Sequence, residues 1–251
     1  MKVEKTIKNE QKIAFFEEFC FENEDFSKIG LKPFSILQIF QDASTKHAEQ
    51  LGVGFEAMLS KHLLWITMRI KYEILRLPQA NEILTIKTYP SGKNRMEYDR
   101  EYLIFDADGN MIIKGQSKWC LINSQTRKIE RMIDSPILLD QEPIYKERFL
   151  KSDDFEPKFL PDVNYQIKLD DIDNNGHTNN TVYAKMIAPV LEQHSKTINF
   201  FQINFLKESL IGERIDIYSQ KENDDLLILG KKCEGEKSFT IEIKFMLNNK
   251  K

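Results

Sequence analysis

The densest group of reactive side chains in the 251-residue chain is Asp170-Asp171-Ile172-Asp173-Asn174-Asn175-Gly176-His177-Thr178-Asn179-Asn180. A histidine set among carboxylates and amides can move protons, because imidazole titrates near neutrality and its neighbours can orient it or a water molecule. The same residue types are what turns and helix N-caps use, and spacing alone favours that plainer reading. Because a helical pattern follows directly, unpaired backbone N–H groups at its start could instead face an oxyanion. A second acidic candidate, Glu208, ends the run Ile203-Asn204-Phe205-Leu206-Lys207-Glu208, where an ordinary solvated carboxylate is the default. His47 falls on the face of a first helix, reads as partly buried and is assigned no chemistry.

Other chemistries fit less well. Asp171, Asp173, Asn175 and Gly176 match the opening positions of a calcium-binding EF-hand loop, but Val182 stands where the bidentate Glu belongs, so no metal is expected. Gly230 to Ser238 mimics a phosphate loop until Glu236 separates Gly235 from Lys237. No G-x-S-x-G elbow occurs. The three cysteines, Cys20, Cys120 and Cys233, are far apart and lack a C-x-x-C pair, so they read as reduced packing residues. The four histidines, His47, His62, His177 and His194, show no paired spacing on one helix face.

The elements that must position these residues recur in the same order in both halves. Pro33 to Leu51 places Ile36, Ile39, Phe40, Ala43, His47 and Leu51 at helical steps, with Pro33 suited to the first turn and Gly52 to the end. Strand-like runs follow at 63–75, 82–89, 95–106 and 111–123, with Asp108-Gly109 as a tight turn. In the second half Val182, Tyr183, Met186, Ile187, Val190 and Leu191 form another helical face, kinked or restarted at Pro189. Strand runs follow at 198–206, 213–218, 226–233 and 239–247. Each half therefore reads as one long helix and then an antiparallel sheet that buries a face against it, an α+β arrangement. Asp134 to Pro161, with four prolines and no period, is the connecting region.

Composition narrows the function. Hydrophobic residues make up 41% and charged residues 30%, and there are 17 Phe, so the chain can bury a real core. The net charge of −3 provides no global field for nucleic acid. No apolar run is long enough to span a membrane, and Met1 to Lys5 leads into charge, so a cytoplasmic protein without a membrane span is expected.

The chain also resembles the acyl-acyl carrier protein thioesterases of bacteria and plants. That family carries D-x-N-x-H-x-N-N-x-x-Y before its second central helix, and Asp173, Asn175, His177, Asn179, Asn180 and Tyr183 fill every fixed position. Phe205-Leu206-Lys207-Glu208 looks like its acidic strand end. In the first half His47 to Gly54, Trp65 to Arg69, Arg76 to Pro78, Ser117 to Trp119 and Thr126 to Lys128 are similar too. The resemblance implies two tandem hotdog domains, each a long helix wrapped by an antiparallel β-sheet. They are set at 1–140 (acyl-chain pocket) and 161–251 (catalytic residues), around a linker at 141–160. It implies hydrolysis of acyl-acyl carrier protein to free fatty acid without a cofactor, with Asp173, Asn175, His177 and Glu208 catalytic and Asn179, Asn180 and Tyr183 binding substrate. Plant members often have a cysteine directly after the glutamate. Ser209 stands there in this chain, which points to attack by water.

On that reading Glu208 or Asp173, desolvated, takes the water's proton, His177 orients the water or protonates the departing sulfur, and Asn175 holds the water or the carbonyl. Backbone N–H groups of Thr178 to Asn180 meet the oxyanion. The acidic carrier protein is the expected partner, met by some of Lys93, Arg95, Arg127, Lys128, Arg131, Lys231 and Lys232. A monomer is as compatible as a homodimer. The alternatives are an acyl-CoA thioesterase of the same fold, a non-catalytic acyl-binding module and a hotdog dehydratase.

Overall fold

The computed structural model describes residues 14–94, 96–131, 141–149, 155–157, 160–223 and 225–246. Its first half runs through strands β1 (Phe15–Phe19), β2 (Phe26–Ser27) and β3 (Gly30–Leu31) into helix α1 (Pro33–Gln50). The short helix α2 (Phe55–Leu59) follows, then β4 (Leu63–Ile74), β5 (Leu84–Asn94), β6 (Glu97–Phe105), β7 (Met111–Asn123) and β8 (Ile129–Glu130). The second half holds β9 (Val163–Gln166), helices α3 (Val182–Met186) and α4 (Ala188–Leu191), then β10 (Ile198–Phe205), β11 (Arg214–Glu222), β12 (Asp225–Lys232) and β13 (Lys237–Phe245).

Helix α1 forms where the apolar period placed it. Pro33 occupies its first turn and Gly52, at φ +70°, follows its end, a backbone conformation that glycine adopts without strain. Its buried face is Ile36, Leu37, Phe40, Ala43, Ser44 and His47, and at 1.5 Å per residue it spans about 27 Å of sheet. Phe40 anchors it. The ring stacks on Tyr102 at 4.1 Å, meets Tyr72 edge-on at 6.4 Å, and lies over Gly115, where a side chain would not fit.

The helix of the second half is shorter than the periodicity suggests. It breaks into α3 and α4 at Ile187, two residues before Pro189, whose missing N–H cannot bond back to the carbonyl of Lys185 and whose ring crowds that turn. Tyr183 holds α3 to the sheet through edge-on contacts with Phe205 at 5.4 Å and Phe239 at 5.2 Å.

The two halves share one antiparallel sheet of eleven strands, in the order β1-β5-β6-β7-β4-β10-β13-β12-β11-β9, with β8 beside β7. The join is β4 with β10, from Phe200 opposite Glu73 to Asn204 opposite Arg69. Across it the rings of Tyr72 and Phe201 stack at 5.3 Å. Strand β4 carries a bulge at Met68, between Thr67 and Arg69, which turns the strand as it reaches the seam.

The described part of the connecting region is not a free linker. Residues 141–149 lie against the sheet at β4, β6 and β7, where Tyr145 is buried and its N–H donates to Glu101 Oε2 at 3.0 Å. Lys71 Nζ donates to the carbonyl of Glu147 and sits 3.9 Å from the centre of the Tyr145 ring. Burial pushes the Glu101 carboxyl up and the Lys71 ammonium down to about 8.

Gly115→Ala is expected to destabilise the protein by about 1–3 kcal/mol. Its Cβ would stand 2.4 Å from the Phe40 ring and 3.0 Å from the Lys71 carbonyl, with Phe40 held by Tyr102 and unable to give way. An unchanged urea midpoint would contradict this packing.

Candidate active site

The polar segment folds into a tight turn closed by Asp173. Its N–H donates to the carbonyl of His177 at 2.8 Å, its carbonyl accepts from Gly176 at 3.0 Å, and Gly176 takes φ +78° to make the bend. Asp173 Oδ1 accepts the N–H groups of Asn175 at 2.8 Å and His177 at 3.2 Å, and Oδ2 takes Asn175 Nδ2 at 3.4 Å. Asp173 is thus occupied in shaping the loop. Asp171 serves the other side, accepting from Tyr165 Oη and Lys168 N.

The loop is fastened to the turn after β10 by Thr178, whose N–H and Oγ1 both donate to the carbonyl of Ser209, at 2.9 and 2.8 Å. That attachment brings Glu208 to His177, with Nε2 3.1 Å from Oε2. Arg127, from the turn after β7 and itself at φ +58°, donates to both Glu208 oxygens. An ion pair therefore crosses between the halves at the rim. Glu208 is half-buried, with 37% of its side chain exposed, so the expected desolvated carboxylate is not found; the reason is its place at the cavity mouth beside Arg127.

One cavity of about 380 Å³ joins these groups to the first half. The volume is in the range of ligand pockets. Asp173, Asn175, His177, Asn180, Tyr183 and Glu208 all line it, together with α1 from Gln41 to Glu49, Trp65, Thr67 and Met68 of β4, and Tyr98 and Trp119. Asn175 Oδ1 is buried and has no hydrogen-bond partner among the described residues. An acceptor left free in this way suits a water O–H better than a carbonyl oxygen.

Asn179 is the exception among the expected site residues. It lies off the cavity wall, and its Oδ1 accepts from the N–H and Oγ1 of Thr181 at 2.9 and 3.0 Å, as a cap does. The expected backbone donors also change: Thr178 N–H is used by Ser209 and Asn179 N–H by the carbonyl of Asp171, which leaves the Asn180 N–H. Ser209 is fully buried and its Oγ is 2.8 Å from Ser238 Oγ, away from the cavity. Of the basic docking candidates, Arg127 is held by Glu208, Lys231 by Glu156 and Lys232 by Glu213, whereas Lys128 and Arg131 are exposed. Arg95 and the side chain of Lys93 lie outside the described residues.

Two features escaped the sequence reading. Arg127 reaches Glu208 across a sheet seam that no local pattern announces. Arg100 stands two residues after Tyr98 on β6, so strand parity puts both side chains on one face of the sheet, and both line the cavity. It is buried, with NH1 3.0 Å from His47 Nδ1. His47, far from idle on a helix face, is fully buried, and desolvation first and the Arg100 charge second push its pKa down to about 3.

Two family models match the chain: the acyl-ACP thioesterase N-terminal domain over residues 19–137 and the acyl-ACP thioesterase C-terminal domain over 158–248. Oleoyl-acyl carrier protein thioesterase 2 of Arabidopsis thaliana, a chloroplastic protein, is 26% identical over 178 residues, 63% of this chain and 48% of its own length. The chain thus matches about half the length of that relative. The fold is shared with an acyl-ACP thioesterase from Bacteroides thetaiotaomicron, at TM-score 0.85 and 22% identity over 95% of this chain and 99% of that one. It is shared also with the 12:0-ACP thioesterase of Umbellularia californica, at TM-score 0.76 and 16% identity over 93% and 97%. Both support the tandem hotdog architecture.

The depressed His47 pKa makes a stability prediction. Unfolded His47 takes a proton near pH 6.5 and folded His47 only near 3, so between these values the unfolded chain holds more protons and stability falls as the pH is lowered. The contribution reaches about 1.4 kcal/mol per pH unit. His47→Gln should therefore lose less stability than the parent between pH 7 and pH 5 in urea unfolding; parallel losses would refute the assignment.

Proposed function

Because the chain belongs to the acyl-ACP thioesterase family, we propose that it hydrolyses the thioester of an acyl chain held on acyl carrier protein and releases the free fatty acid. The observation that carries this reading is the contact of His177 Nε2 with Glu208 at 3.1 Å, beside the free Asn175 Oδ1, at the wall of one cavity that also runs along α1. Glu208 accepts the Nε2–H of His177, which fixes the tautomer and leaves Nδ1 as the basic nitrogen. Asn175 Oδ1 holds one O–H of a water, and His177 Nδ1 removes the other proton as the oxygen attacks the thioester carbon.

The carbonyl oxygen gains the negative charge, and the Asn180 N–H is the backbone donor left for it. On collapse the carbon–sulfur bond breaks, and the imidazolium returns its proton to the thiolate. Glu208 stabilises that imidazolium while it exists, and Asp173 holds the loop in register. With Ser209 buried against Ser238, water is the nucleophile and no acyl-enzyme forms. The acyl chain lies along the cavity between α1 and β4. Exposed Lys128, next to Arg127 at the rim, is the better placed of the basic groups for an acidic carrier.

Thiol release from acyl-acyl carrier protein tests this. His177→Ala should lower kcat by about 10²- to 10⁴-fold, the usual worth of a general base. Asn175→Ala and Glu208→Gln should each lower kcat more than they raise KM. Near-parental turnover by all three folded variants would overturn the mechanism, and faster turnover of matched acyl-CoA would replace the carrier.

A further inference from the structure

The far wall of the cavity holds a charge that hydrolysis does not use. Arg100 is 8% exposed and lines the cavity, yet among the described residues its hydrogen bonds go only to neutral groups, His47 Nδ1 at 3.0 Å and Thr88 Oγ1 at 3.2 Å. The two carboxylates that flank it on β6 are committed elsewhere. Asp99 pairs with Lys118, and Glu101 takes Ser91, Gln116 and the Tyr145 N–H. Thr88 Oγ1 in turn donates to the carbonyl of Glu101, so it offers Arg100 no charge either. A guanidinium has five N–H donors, and NH1 alone is used here. Since His47 Nδ1 accepts from Arg100, its proton is on Nε2, which is also buried without a partner among the described residues.

A cation buried without a counter-ion is unfavourable unless something else accepts its hydrogen bonds. A plain methylene chain laid along this wall would cover the donors and satisfy none. An oxygen on the chain would take them. Its position follows from the register: Arg100 is level with Ser117 of β7, Ile70 of β4 and Ile203 of β10, five residues before Glu208, so Arg100 lies well along the strands from the thioester end.

Resting on the hydrolase reading above, we propose that the preferred acyl chain carries a hydroxyl or keto oxygen well along its length, which accepts a hydrogen bond from Arg100. Arg100 is then a specificity-determining residue and His47 its positioning partner. The site favours such chains over unsubstituted ones of the same length by about ten- to hundredfold in kcat/KM, the worth of one charge-assisted hydrogen bond.

The test compares acyl-acyl carrier proteins of one chain length: unsubstituted, 3-hydroxy, mid-chain hydroxy and mid-chain keto. The parent should prefer the mid-chain oxygenated substrates, and in Arg100→Met the ratio to the unsubstituted chain should collapse towards one. Equal turnover of all four, or a preference confined to the 3-hydroxy chain, would overturn the proposal. Calorimetric binding of the free mid-chain hydroxy acid and the unsubstituted acid to the parent decides the matter should Arg100→Met fail to fold. If no thioester is hydrolysed, the hydrolase reading fails, and this binding ratio still tests Arg100: tighter hydroxy-acid binding supports it and equal binding overturns it.

Discussion

The seam between β4 and β10 is the constraint on which the site depends. Each half's sheet would otherwise end in a long strand with a free row of N–H and C=O groups, an edge that invites wrong pairing. Joining them satisfies both edges at once and stacks Tyr72 on Phe201 beneath the join. The same pairing sets the register that places Phe205 beside the Met68 bulge, so that Glu208, three residues on, emerges where the cavity wall formed by Trp65 and Thr67 begins. The reactive loop and the chain-holding wall come from different halves, and one ladder of backbone hydrogen bonds fixes their distance.

Charge is handled in opposite ways on the two sides of this sheet. Where residues 141–149 pack, Glu101 is surrounded by Ser91, Gln116 and a backbone N–H, and Lys71 lies among a carbonyl and aromatic rings. Those charges are buried but answered. On the cavity side Arg100 hydrogen-bonds, among the described residues, only to an imidazole and a hydroxyl. Glu208, the acidic group of the site, stays partly solvated and paired with Arg127. The cavity lining thus carries both signs, with Asp173 and Glu208 beside the reactive loop, Glu49 on α1 and Arg100 on β6.

Much of this fold was legible in local sequence. Helix α1 and the eight long strands follow from period and turn residues, because those patterns report burial of one face. Pro189 signalled a kink, but not that α3 and α4 would be separate short turns parted at Ile187. Strands β1 and β9 were missed because each is an edge whose partner lies far away in sequence. The loop from Asp173 to Tyr183 stood out by composition, yet its link to Glu208 came only through family resemblance, and the division of labour within it, Asp173 building and Asn175 waiting, required hydrogen-bond geometry.

Leaving a buried polar atom unpaired typically costs about 1–3 kcal/mol, and proteins rarely tolerate it without return. Five such side-chain atoms occur among the described residues, and three of them, Asn175 Oδ1, Thr67 Oγ1 and His47 Nε2, belong to the cavity wall or to the partner of Arg100 behind it. A fold free to relax would have turned these groups toward one another or replaced them with apolar ones. Their concentration around one cavity means that the polypeptide alone does not complete its own hydrogen bonding there. A water suits the Asn175 acceptor and a thioester carbonyl the Thr67 hydroxyl, so groups that packing leaves unpaired at the wall become selective for what binds there.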